Sequence, residues 1–509
     1  MAIAALNAAP ARVRAVDYAD VQGIVRYGYG ALTEACFLLL RVRDAAAARA
    51  WLRAAPVTNA VELPKPPQTA LQVAFTARGL RALGVAEPVV SQFSLEFLEG
   101  MGGDASRSRR IGDLGPNAPS EWRWGTGDGV PDVMLMLYAL PGRLGDLERA
   151  VCAPPFDEAF ALLRRLDTSN LGDHEPFGFK DGISQPKPDW TFARDAAGDQ
   201  LEYANLVALG EFLLGYPNEY AKYTERPLLD DDASTAALAP APDAPGKRDL
   251  GLNGTYLVVR DLEQDVRGFR QFVHDRAREA GMTPEALAAA FVGRTYDGES
   301  PMPRSAEPIA GVDPDEAVLN AFTYGSDPAG TRCPVGAHVR RANPRNADFP
   351  GKPAGLLARI VALLGFGPHG YRDDTMSPTR FHRVLRRGRE YGPGLSAEEA
   401  LQPAPPGDPE RGLHFICVNA NISRQFEFLQ NAWAMSAKFD CLNAETDPLL
   451  GTRVPSPGCP STSHFTVPHE GAPRTRLAGL PRFVTLRGGA YFFLPSLRAL
   501  RYFAGSGDR

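Results

Sequence analysis

Cysteine is scarce in this sequence, and what there is lies scattered. The six cysteines (Cys36, Cys152, Cys333, Cys417, Cys441 and Cys459) form no C-x-x-C pair and no C-x-x-C-H motif. That excludes a closely spaced redox pair, and without a His/Cys cluster of ligand spacing it leaves zinc unsupported. So few thiols in 509 residues fit a reducing compartment, where most cysteines are small buried hydrophobes; the expected location is cytoplasmic. Long apolar runs are missing as well. Phe37-Leu38-Leu39-Leu40 is only strand-sized, against the roughly 20 residues of a membrane span, so no membrane partner is expected. Met1–Pro10 is rich in alanine but lacks a charged stretch followed by a long apolar one, and no secretory signal is expected. Nor is there an excess of positive charge. With 55 Lys and Arg against 60 Asp and Glu, net −5, no footprint for a nucleic acid exists.

What is present is the composition of a soluble globular protein, 44% hydrophobic and 23% charged. The length exceeds one ordinary core, so two domains or one duplicated unit is expected. The two halves begin alike. Phe37–Asp44 reads as a strand ending in Arg-Asp, followed by a helix over Ala45–Leu52; Thr255–Asp261 is again a strand ending in Arg-Asp, followed by helical spacing over Val266–Val273. A second strand–helix unit recurs in each half, at Ala70–Phe75 with Arg78–Leu83 and at Gly412–Val418 with Ser423–Met435. Val133–Ala139 and Phe483–Leu494 are further strands. The pattern predicts an α+β protein of two similar units, each a sheet covered by helices in a split βαβ arrangement. The expected division is residues 15–200, an irregular linker or insertion over 201–250, and 251–500. Within the linker, Leu206–Leu214 has the look of a short helix and Ala236–Pro245 of an exposed loop. A short apolar helix is expected over Gly355–Leu364.

Three segments carry chemistry. Gly178-Phe179-Lys180-Asp181-Gly182, continuing Ile183-Ser184-Gln185-Pro186, sets one carboxylate between two glycines, and glycine permits sharp bends and close approach of a flat ligand. Taken alone, Asp181 reads as a turn cap. In Cys333-Pro334-Val335-Gly336-Ala337-His338-Val339-Arg340-Arg341, a histidine follows small residues that leave room for a planar macrocycle, and the guanidiniums beside it suit carboxylates such as haem propionates. In Arg383-Val384-Leu385-Arg386-Arg387-Gly388-Arg389-Glu390-Tyr391-Gly392, an apolar Val-Leu pair delivers Arg386 to a glycine turn.

In this order the three segments resemble the dye-decolourising peroxidase family over nearly the whole chain, from Asp20 to Pro495, in its longer bacterial branch. The resemblance implies two ferredoxin-like domains, the first carrying the G-x-x-D-G loop and the second holding one haem b. His338 is then the axial ligand of the haem iron, Asp181 the distal acid–base group and Arg386 the distal cation, with Gly182, Ile183, Ser184 and Arg341 as further haem contacts. The implied partners are hydrogen peroxide and an aromatic electron donor, and a homo-oligomer is allowed. A carboxylate partner for the other nitrogen of His338 is expected at Glu427 or Asp440. Arg389-Glu390 departs from the apolar residue and proline of many members, which puts the shape of the distal pocket in question. Because an unperturbed carboxylate has a pKa of about 3.9, turnover is expected to be fastest in acid and to fall toward neutrality. Trp190, Trp433, Tyr371 and Tyr391 are available to relay electrons, although core packing is the commoner role of such residues. Alternatives are a haem-handling protein with little turnover, a haem-thiolate oxygenase using Cys333, Cys417 or Cys459, and a metal-free ligand-binding protein.

Overall fold

The unbroken run Phe37–Leu40 is a strand buried on both faces. The computed structural model describes residues 15–193, 203–306, 308–345, 379–455 and 461–505, and in it Glu34–Val42 forms β1. Successive side chains of a strand point to opposite faces. Leu38 and Leu40 enter one core with Trp51 and Leu52, whereas Phe37 and Leu39 enter another with Met134, Tyr138 and Val259. Neither face is wet, so the sequence shows no polar alternation.

The remaining strands of this sheet are β2 (Thr69–Phe75), β3 (Val133–Ala139), β4 (Phe160–Asp167), β5 (Thr255–Gln264), β6 (Leu385–Arg386), β7 (Arg389–Tyr391), β8 (Gly412–Asn419) and β9 (Val484–Leu494). They lie in the order β6-β8-β5-β9-β2-β3-β1-β4, antiparallel throughout, with β7 also beside β8. The first half supplies β1–β4 and the second supplies the rest. Among the named strands they meet at Phe493 with Phe75, and a bridge of Trp124 with Gly488 adds a second link. The sheet curls until its outer strands approach: His414 Nε2 on β8 lies 2.9 Å from the Asp167 carbonyl on β4, and the Ser169 N–H donates to the Glu390 carbonyl at 2.8 Å.

Helices close the outer faces. In α1 (Ala45–Ala54), the Asp44 side chain accepts the Ala47 N–H, and Ala48, Trp51 and Leu52 are buried. In α2 (Val266–Arg276), Asp265 caps Gly268, and Val266, Phe269 and Val273 form the buried stripe. In α3 (Pro284–Val292), Thr283 is the cap, proline occupies the first turn and Gly293 ends the helix in the left-handed region. Among the described residues no helix is long and apolar enough to cross a membrane.

Three expectations change. The matched Arg-Asp endings are not equivalent: Asp44 caps a helix, while Asp261 lies inside β5, which runs on to Gln264 before Asp265 takes the capping role. Leu206–Leu214 is not a helix but a strand over Leu206–Ala208 and one 3₁₀ turn over Leu209–Glu211. Ala236–Pro245 is mostly exposed loop, as expected, although Ala239–Pro240 pairs with Lys247–Asp249 and Leu238 and Ala241 are buried. Residues 203–250 send apolar side chains into both cores, Leu214, Leu229 and Leu250 into one and Val207, Leu209 and Phe212 into the other. Ser423–Met435 forms wide π-helical turns, Ser423–Glu427 and Leu429–Ala434, in place of a regular helix. The helix expected over Gly355–Leu364 lies outside the described residues, as do Tyr371 and Cys459.

Candidate active site

The chain leaving β4 crosses to the second half before it reaches Asp181. There it turns back on itself, with a bridge between His174 and Lys180 and an Asp181 N–H bond of 2.8 Å to the Asp173 carbonyl. Phe177 and Phe179 pin the loop by packing against Phe269 of α2 and stacking on Tyr296, with ring centroids 4.8 and 4.3 Å apart. Gly178 (φ +97°) and Gly182 (φ +76°) are the bends, in a region that side chains with a Cβ avoid. A Cβ on Gly182 would meet nothing within 4 Å, so that face of the loop is open.

Arg386 arrives from the other direction. On β6 it pairs with Cys417 of β8, and its N–H donates to Gln185 Oε1 at 3.0 Å. Its guanidinium donates to Asp181 Oδ1 at 2.9 Å, across 205 residues of sequence. The same oxygen accepts the Gly182 N–H at 2.6 Å. Both side chains remain partly open, 44% for Asp181 and 35% for Arg386. Burial acts to raise the Asp181 pKa, but the charge of Arg386, the Gly182 N–H and the Arg386 hydrogen bond outweigh it and hold the carboxyl below its ordinary 3.8.

His338 opens α4 (His338–Ala342). Its Nδ1 lies 2.9 Å from Asp447 Oδ2, while Oδ1 of the same carboxylate accepts the N–H groups of Leu449 and Leu450, each at 2.9 Å. Burial lowers the His338 pKa, but the charge and hydrogen bond of Asp447 raise it above the ordinary value. An ionised carboxylate only accepts, so Nδ1 carries a proton, and in the neutral ring Nε2 presents the lone pair. The imidazole is 28% exposed although its neighbours Ala337 and Arg341 are fully buried. The charge of His338 is felt at Asp181 and that of Arg386 at His338, so the three groups share one electrostatic site.

The structure thus brings Asp181, Arg386 and His338 together, with Gly182, Ile183 and Ser184 on the loop that carries Asp181. The Ile183 carbonyl accepts from Asn320 Nδ2. Arg341 is placed elsewhere. It is 0% exposed and donates to the carbonyls of Gly336, Trp433, Ser436 and Glu445, so its guanidinium serves the backbone and not a propionate. Gly336 and Ala337 likewise leave no open space: a Cβ on Gly336 would touch Glu445 and Phe465 at 3.4 Å, and Ala337 is fully buried. The carboxylate beside His338 is Asp447, not Glu427 or Asp440. Glu427 is held by Arg107 at 2.8 Å and by the Tyr491 hydroxyl at 2.9 Å. Asp447 stands before Pro-Leu-Leu-Gly, a turn signature legible in sequence, but nothing local ties it to a histidine 109 residues away.

Arg389 and Glu390 hold the curled sheet together. Arg389 Nη2 donates to the Tyr29 carbonyl at 2.6 Å, and Glu390 Oε1 accepts the Leu171 N–H at 3.1 Å. Of the aromatic candidates, Trp433 is buried with Val335 and Phe439, Tyr391 stacks on His414 at 4.6 Å, and Trp190 packs on Tyr18 at 5.6 Å. Burial pushes the Cys333 thiol up to about 12 and raises that of Cys417 as well, which disfavours a thiolate ligand.

No family model matches the chain. It is 30% identical to the multifunctional dye peroxidase DyP2 of Amycolatopsis, over 85% of this chain and 81% of that protein. It is 29% identical to the dye-decolorizing peroxidase msp1 of Mycetinis scorodonius, over 96% and 87%. Bacterial and fungal relatives therefore run equally close. Among solved structures, a dye-decolorizing peroxidase in complex with 2,6-dimethoxyphenol superposes with a TM-score of 0.69 at 23% identity, covering 96% of this chain and all of the other. A decolorizing peroxidase from Auricularia auricula-judae gives 0.68 at 25% identity, with the same coverage.

Proposed function

The chain belongs to the dye-decolourising peroxidase family, and we propose on that premise that it is a haem peroxidase. It reduces hydrogen peroxide and takes electrons singly from phenolic, dye-like or other bulky aromatic donors. The observation that carries the reading is the 2.9 Å contact of Asp181 with Arg386, in electrostatic range of an imidazole whose Nδ1 is fixed by a carboxylate.

The residues fit one haem b per chain. His338 Nε2 would be the atom that holds the iron, and Asp447 on Nδ1 would fix the ring's tautomer and raise its basicity. Bound there, haem would supply an iron able to react with peroxide and to store oxidising equivalents. Asp181, held ionised, takes the proton from one peroxide oxygen and returns it to the other. Arg386 places fixed positive charge where negative charge develops as the oxygens separate.

We read each half as a ferredoxin-like unit, residues 15–200 and 251–500, with haem held mainly by the second. What supports this is the strand order: counted within its own half, each sheet runs second, third, first, fourth, if β6 and β7 count as one strand. The unpaired thiols of Cys36, Cys152, Cys333 and Cys417 are in keeping with a reducing, cytoplasmic setting. Haem handling without turnover needs no distal Asp–Arg pair, which favours the peroxidase. The test is an absorption spectrum of haem-loaded protein before and after one equivalent of peroxide, followed by a phenolic donor. A Soret band that shifts with peroxide and returns with donor is expected. A band indifferent to peroxide would leave only haem handling, and no band at all would remove both readings.

A further inference from the structure

Asp181 stands at the neck of a loop whose interior is filled by another carboxylate. Glu175 takes no part in the proposed chemistry, and its backbone is already spent on the loop: its N–H donates to the Phe179 carbonyl at 2.9 Å, and its own carbonyl accepts the Gly178 N–H at 2.7 Å. The side chain then turns inward. Oε1 accepts the Phe179 N–H at 3.0 Å, while Oε2 accepts the Phe177 N–H at 3.0 Å and the Gln264 amide at 2.8 Å. Gln264 is the last residue of β5, so the carboxylate ties a loop from the first half to a strand of the second. Arg270 of α2 adds a bond of 2.6 Å to the Phe177 carbonyl from outside.

We propose that Glu175 is the positioning residue of this loop, and that by gathering these three donors it fixes where Asp181 meets Arg386. A single residue, Lys180, separates the last braced amide, that of Phe179, from Asp181. The Lys180 N–H on the Tyr296 carbonyl and the Asp181 N–H on the Asp173 carbonyl hold the neck, and Glu175 holds the turn above it. A carboxylate is required because all three partners donate. A glutamine would turn its NH₂ group toward donors, and a leucine would leave buried N–H groups with no acceptor. Burial pushes the Glu175 carboxyl up to about 7 against the hydrogen bonds that lower it. The titratable groups facing it are Asp181 on its own loop, His338 on α4 and Tyr296, while Arg270 on α2 bonds the neighbouring Phe177 carbonyl.

The kinetic part rests on the peroxidase reading, so the test has two arms. In Glu175→Gln, exchange of the Phe177 and Phe179 amides at pH 7.5 should be about tenfold faster than in the wild type. With haem content unchanged, kcat/KM for peroxide should fall about 10–100-fold, the cost of a small misplacement of a reacting group. Introduced into Asp181→Asn, the same substitution should change kcat/KM less than about twofold, because its effect passes through Asp181. Equal losses in both backgrounds would overturn the proposal in favour of general destabilisation, and unchanged amide exchange would overturn the brace itself. A wild-type protein that does not react with peroxide sinks the peroxidase reading and leaves the exchange arm to decide on the brace. If Glu175→Gln does not fold, Gln264→Leu removes one donor of the three and should show the same non-additivity with Asp181→Asn at smaller size.

Discussion

Asp447→Asn isolates one proton. In the native protein Oδ1 of Asp447 caps Leu449 and Leu450 while Oδ2 faces His338 Nδ1 at 2.9 Å. Asparagine keeps the first oxygen, so the turn at Leu449 survives, but it presents an NH₂ donor to the ring. Nδ1 must then accept, the imidazole proton moves to Nε2, and the lone pair needed for iron is gone. A charge-assisted hydrogen bond at such a site contributes about 1.5–3 kcal/mol. Loss of a partner behind a metal-binding histidine typically costs about 10–100-fold in affinity, which at about 1.4 kcal/mol per tenfold is the same range. Haem titration of apo-protein, followed at the Soret band, should therefore show Kd raised about 10–100-fold, with an altered spectrum in the residual complex. Thermal unfolding of the apo-protein should show a loss of no more than about 1.5–3 kcal/mol, because the Leu449 and Leu450 contacts are retained. An unaltered Kd and spectrum would refute the assignment of Asp447 as the group that sets the His338 tautomer.

Arg386→Leu should leave haem bound but slow the peroxide reaction in stopped flow by about 100–1000-fold, the usual cost of a missing charge-stabilising donor. Asp181 acts as a base only when ionised, so kcat/KM for peroxide is lost as pH falls through its pKa, which Arg386 holds below 3.8; in Arg386→Leu that acid limb should move upward. The same shift means that a fall in rate from acid toward neutral pH does not arise from Asp181, which stays ionised across that range. Arg260 on β5 and Asp113 from the first half form a pair that is 5% and 1% exposed. Arg260→Met should destabilise the protein by about 3–5 kcal/mol in denaturant titration, with much of it recovered in Arg260→Met/Asp113→Leu. Burial raises the Asp113 carboxyl against the pull of Arg260, so the loss in Arg260→Met should be smaller in acid, where protonation relieves the unpaired charge, than at pH 8.

Local patterns carried far in this chain. Strands buried on both faces announced themselves as apolar runs, and the Asp44 and Thr283 caps lie where side-chain chemistry puts helix starts. Where a second sequence half intervened, local reading slipped. Asp261 looked like a strand end because Arg-Asp follows Val-Val, yet β8 and β9 pair with it on both sides and carry the strand on to Gln264. Arg341 looked available to a ligand because arginine suits carboxylates, yet the folded chain surrounds it with four carbonyls. Leu206–Leu214 has helical apolar spacing but is recruited as a strand beside Lys187–Asp189.

The sequence by itself determined which residue types could do the chemistry: a glycine-framed carboxylate, a histidine and an arginine delivered by a strand, in an order that named the family. These are statements about short segments, and short segments carry their own backbone preferences. Only the tertiary structure decided the partners. Asp181 meets Arg386 across 205 residues, His338 meets Asp447 across 109, and Glu175 meets Gln264 across 89. The physical reason is that a hydrogen bond is worth little until packing has brought donor and acceptor within 3 Å and shut out water. That placement is the work of the curled sheet and its helices, and it belongs to no single stretch of the chain.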